Sequence, residues 1–150
     1  MIAEMKKLII AFVIPITIIS FLGATKWWYV DVIDGADGIM HGFPLIYQSW
    51  GFHTSLSNQY FFLEFSFDVL CYFVFWTLVF YLIKKIFKTI QIKKSISIFL
   101  YTIAGIILIL QMLFVVNPTN IFSIKRDFDI EVNKTGWSFF WQHDQRPEKE

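Results

Sequence analysis

Cysteine is almost missing from this chain. The single one, Cys71, excludes an intrachain disulfide and any metal site built from several thiolates. Its apolar surroundings make it a small hydrophobe. Arginine is scarce: lysine outnumbers it 11 to 2, a bias of AT-rich coding that points to a bacterial source. An excess of either charge sign is also lacking. Thirteen basic against 12 acidic side chains leave a net charge of +1, so the total calls for neither nucleic acid nor an acidic partner. No HExxH pair, Walker loop, dinucleotide glycine pattern or nucleophile elbow occurs. The expectation is therefore no cofactor, no catalytic residue and no enzyme. There is no internal repeat and no low-complexity run.

What fills the chain is apolar. Hydrophobic residues make up 56% of the 150 positions and aromatics 20%, with 18 Phe, and mean hydropathy is +0.55. A soluble domain of this length does not need that much apolar surface, so lipid is the expected solvent for much of it. Three runs carry the excess, at about 8–24, 60–83 and 96–116. The first follows Lys6 and Lys7 and resembles a signal peptide. Leu22, three before a cut after Ala24, is too large for cleavage, and the run continues into Trp27, Trp28 and Tyr29, which suit an interfacial belt. It reads as a retained signal anchor, kinked at Pro15. The second run spans about 36 Å as a helix against a hydrocarbon core of roughly 30 Å. The third ends at Asn117-Pro118, a stop signal.

Charge placement sets the topology. Residues 84–95 carry five lysines and no acid, while 11 of the 12 acids fall in the outer segments if Glu64 and Asp68 are counted there. By the positive-inside rule this is a multi-pass protein of the cell membrane, N-terminus cytoplasmic and C-terminus extracytoplasmic. The outer loop 25–59 and the tail 117–150 are each too short to fold alone, so they are expected to build one cap. Within the cap, residues 27–34 read as a strand. FDIEV and WSFFW, joined by Asn133-Lys134-Thr135-Gly136, read as a β-hairpin at about 127–141, which should pair with the 27–34 strand or lie on 41–59. The fold class expected is an all-α membrane protein of three transmembrane helices with this small cap, folded as one membrane domain.

Specific chemistry concentrates in residues 41–68. Glu64 and Asp68, spaced i,i+4, share a helix face, and Asp68 lies about 6 Å deeper than Glu64. An acid at that depth must face protein or water, with Gln111 of the third run, then Thr17 and Ser20 of the first, as polar neighbours. The functional reading is a proton- or cation-handling acid; the structural one is a hydrogen bond between helices, with Glu64 solvated at the rim. His41 and His53, with Asp31, Asp34 and Asp37 nearby and His143 in the tail, match no metal-ligand spacing, so no metal is expected. Aromatics crowd one side beyond the needs of a belt. His41, Phe43, Tyr47, Trp50, Phe52, His53, Trp137, Phe139 and Trp141 form the candidate partner surface.

Three function classes follow. The first is a protein acting by association: an accessory subunit, an assembly or regulatory factor, or an immunity-type protein, with the lipid bilayer and another membrane protein or a second copy as partners. The second is a small oligomeric ion- or proton-coupled component using Asp68. The third is a membrane enzyme with a His/Asp site in the outer loop.

Overall fold

Long apolar runs without internal turn signals become helices, because in lipid a helix alone satisfies a single segment's backbone groups internally. The computed structural model describes residues 2–33, 35–51, 57–87 and 93–139. In it α1 (Ile2–Leu8) passes through a π-helical turn (Ile9–Val13) into α2 (Ile14–Gly23), and α3 (Phe62–Ile86) and α4 (Lys94–Val115) follow later in the chain. All three helical stretches are long and apolar enough to cross a membrane, the first over Glu4–Gly23. The chain divides into two compact units, Met1–Gly23 with Val69–Met112, and Ala24–Asp68 with Leu113–Glu150.

In the helical unit Leu8, Ala11 and Phe12 form a buried cluster joined by Phe80 and Leu100, and the Phe12 and Phe80 rings stack at 5.7 Å. The disturbance expected at Pro15 takes the form of the π turn before it. Ile14 N–H bonds the Ile9 carbonyl, so in the widened register the Ile10 carbonyl would take its bond from residue 15, and Pro15 has no N–H to give. The Tyr101 hydroxyl donates to that carbonyl at 2.6 Å. Tyr101→Phe should leave it unpaired and lower stability by about 1 kcal/mol, read as an earlier thermal unfolding midpoint in detergent. Ser20 links two helices by accepting from Trp76 Nε1 at 2.9 Å while donating to the Ile16 carbonyl at 2.7 Å.

The second unit overturns the all-α expectation. It holds a six-stranded sheet, and the chain is mixed α/β, with 54% helix and 26% strand among the described residues. The strands are β1 (Ala24–Val32), β2 (Gly38–His41), β3 (Gln48–Trp50), β4 (Asn58–Phe61), β5 (Ile121–Ser123) and β6 (Ile130–Phe139). Their order is β5-β4-β3-β2-β1-β6. Only β4 and β5 run parallel; the other neighbours are antiparallel. The strand read at 27–34 is β1, shifted three residues towards the N-terminus at its start.

The expected hairpin at about 127–141 is not formed. Residues 130–139 are one strand, paired along its length with β1 from Val32↔Ile130 to Ala24↔Phe139. Each half of the supposed turn signal has another cause. The register steps between Tyr29↔Lys134 and Val30↔Val132, leaving Asn133 as the extra residue of a bulge. Gly136 lies under the Trp27 indole, where an added Cβ would come within 2.6 Å of the ring. Gly136→Ala should displace that ring at a cost of roughly 1–3 kcal/mol, visible as a changed near-UV dichroism. The bulge also reverses the side-chain alternation, so Trp137 and Phe139 share a face with Ile130 and Val132. On that face Val30, Met40 and Ile46 form the core, with Trp28, Val32, Phe128 and Ile130 around them.

Candidate functional site

The start of α3 and the turn after β2 meet in one site. β2 ends at His41, and Gly42 follows with φ +145°, a conformation open to glycine and strained for other residues. A Cβ there would run into the Leu45 carbonyl oxygen and lie within 2.7 Å of the Tyr47 nitrogen. The Phe43–Pro44 peptide is cis. Five hydrogen bonds hold this reversal. Gly42 N–H donates to the Lys26 carbonyl and Tyr47 N–H to that of His41, each at 3.0 Å, and Phe61 N–H donates to the Tyr47 carbonyl at 2.9 Å. Trp28 Nε1 donates to the Gly42 carbonyl at 2.7 Å, and Leu45 N–H to Asp68 Oδ1 at 3.0 Å.

Asp68 has no exposed surface. Besides the Leu45 bond, the Phe43 N–H faces the carboxyl group, yet Oδ2 has no regular hydrogen-bond partner among the described residues. Glu64, one turn earlier, is built the same way. Its Oε1 accepts from the Arg126 N–H at 3.1 Å, and its Oε2 is buried without a partner among the described residues. Glu64 is thus held by a loop rather than solvated at the rim. Both acids lie within the first two turns of α3, where the helix dipole favours negative charge, and each takes a backbone N–H from a different loop. Such donors satisfy carboxylates and compete with a cation for them. The arrangement works as two clamps, tying residues 43–45 and residue 126 to one helix start.

The other sequence candidates separate. Gln111 belongs to the helical unit, and Asp68 accepts from the Leu45 N–H. Tyr47 is buried, its ring edge-on to Phe65 at 5.5 Å, and so drops out of the partner surface. Phe43 and Trp137 come together with ring centroids 5.0 Å apart, and Phe139 shares their face of β6. Trp50, 50% exposed, lies at the far end of β3. His41 is half-buried and sits opposite Trp27 and Gln48. Asp37 accepts a short hydrogen bond from the Tyr29 hydroxyl. Phe52, His53, Trp141, Asp34 and His143 lie outside the described residues. Among those described, no three of His, Cys, Asp and Glu gather as a metal could require.

Sequence reasoning missed Gly42, Trp28, Leu45 and Arg126 as parts of the site. A Gly-Phe-Pro run after a possible strand does signal a tight turn, but no local pattern says that an acid 26 positions later closes it.

The class these features define is a mixed α/β chain with three helices long and apolar enough to cross a membrane and a sheet unit that includes the first residues of α3 and the last of α4. Comparison with protein-family models, with curated proteins and with solved structures finds no match to this chain.

Proposed function

We propose that this chain is a small, non-catalytic protein of the cell membrane that works by association, as an accessory, regulatory or immunity-type factor, with its sheet unit on the outer side. The observation that carries this reading is the clamped turn. A fully buried Asp68 and a glycine at φ +145° fix residues 42–47 as a rigid base, while Trp50 is left half exposed at the opposite end of the sheet. A fixed platform with an exposed tryptophan suits contact, since such residues supply large rigid area at interfaces. The test is a photo-crosslinking amino acid in place of Trp50 in the full chain, in its native membrane. An adduct of one defined additional mass, a second copy included, is expected. Recovery of the uncrosslinked chain alone would refute the reading.

One observation favours a second reading, an ion- or proton-coupled component: Asp68 Oδ2 is buried without a partner among the described residues, and buried acids in membrane segments commonly serve transport. Three helices enclose no selective pathway, so this reading requires an oligomer. Asp68→Asn, assayed for proton or cation flux in vesicles, separates the two. Flux that disappears in a folded variant supports the second reading, and absence of flux in the parent protein removes it.

A further inference from the structure

The strand registers sort the exposed apolar side chains by level. One row crosses the whole sheet, Phe122↔Tyr60↔Gln48↔His41↔Trp27↔Gly136. Tyr60 stands two residues before Phe62, the first residue of α3, so beyond this row the β4–β5 edge runs into the start of a helix long and apolar enough to cross a membrane, and the β1–β6 edge runs towards the end of another at Ala24. On the β6 edge the residues beyond the row are Trp137, opposite Lys26, and Phe139, opposite Ala24, which itself follows the last residue of α2. On the β5 edge the chain continues from Ser123, opposite Phe61, to Ile124, whose carbonyl accepts from Leu63 N–H of α3 at 2.9 Å.

Trp137, Phe139 and Ile124 are each exposed, as are Phe122 on the row itself and Ile33, Trp50 and Val132 beyond its far side. Trp137 is 57%, Phe139 48% and Ile124 75% exposed. A base accompanies them on each edge. Lys26 Nζ lies 3.6 Å from the centre of the Trp28 ring, on the same face as Trp137, and Lys125 is exposed beside Ile124. Apolar or aromatic bodies with an ammonium at one level are the pattern of the bilayer interface, where rings lie among the headgroups and lysines reach phosphate.

We infer that the helix-proximal rim of the sheet, at Trp137 and Phe139 on one edge and Ile124 on the other, is seated in the headgroup layer of the membrane, with Lys26 and Lys125 directed at lipid phosphate. This rests on the helices crossing the membrane. It assigns to lipid the aromatic surface that the sequence alone offers to a protein partner, and leaves the Trp50 end for association.

The test uses the full chain with Cys71→Ser, reconstituted in phosphatidylcholine–phosphatidylglycerol vesicles and labelled with an environment-sensitive fluorophore at one introduced cysteine. Phe139→Cys and Ile124→Cys probe the two edges, Trp50→Cys the far end, and Phe75→Cys the middle of α3. All four parent side chains are exposed, so each label should be tolerated. Labels at 139 and 124 are expected to be blue-shifted and quenched by lipid carrying a nitroxide near the headgroup, while the label at 50 is quenched by aqueous iodide. Iodide quenching at 139 and 124 equal to that at 50 overturns the inference. So does a blue shift there without quenching by nitroxide lipid, which would mean a protein covering. Loss of deep-nitroxide quenching at 75 would overturn the membrane reading itself, separately from the rim.

Discussion

Gly42→Ala should be severely damaging for the addition of a single methyl group. Holding a non-glycine residue in such a conformation costs roughly 1–3 kcal/mol by itself. The new Cβ would also collide with the Leu45 carbonyl and the Tyr47 nitrogen. Those atoms cannot give way cheaply. Leu45 is tied through its N–H to Asp68, and Tyr47 is tied through its N–H to His41 and through its carbonyl to Phe61. The expected result is loss of the sheet unit: its residues become open to limited proteolysis in detergent, while the helical unit, whose buried cluster of Leu8, Ala11 and Phe12 is separate, keeps its far-ultraviolet helix signal. Native-like protease resistance in Gly42→Ala would show that the turn is free to rearrange.

Asp68→Ala should have the second largest effect. It removes the acceptor of the Leu45 N–H at a site without solvent access. An orphaned buried donor costs about 1–3 kcal/mol, and the emptied carboxyl volume adds to this. Asp68→Asn behaves differently, because its amide oxygen can still accept from Leu45 at the Oδ1 position. Its nitrogen takes the Oδ2 position, which has no regular hydrogen-bond partner among the described residues, and gives up only the approach of the Phe43 N–H. The expected order of thermal midpoints is parent, then Asn close behind, then Ala well below. Equal loss in Asn and Ala would mean that the charge, not the clamp, holds the turn.

The helices were readable in the sequence because their signal is local and long. Predominantly apolar runs of about 20 residues admit few other solutions, and the three runs differ from α1–α4 only at their ends. The sheet was hidden because four of its six strands are three or four residues long, too short for alternation to show. In β6 the turn signal has a different physical cause. Asn133 and Gly136 carry turn chemistry, but one serves a bulge and the other makes room for the Trp27 ring. Asp68 stood out from its depth alone, whereas its partner did not: a hydrogen bond to the Leu45 backbone leaves no trace in the identity of residue 45. Tyr47 failed as a surface residue for a similar reason, since its burial against Phe65 depends on the clamp that brings the turn onto α3.

The outward, fixed sheet is the centre of the proposed function, and impermeant-maleimide labelling of Trp50→Cys in the Cys71→Ser background tests it most directly. In intact cells stripped of any outer envelope, the proposed topology predicts immediate labelling at position 50 and, for Lys94→Cys in the same background, labelling only after permeabilisation. Labelling of position 94 from outside, with position 50 protected until the membrane is opened, would contradict it.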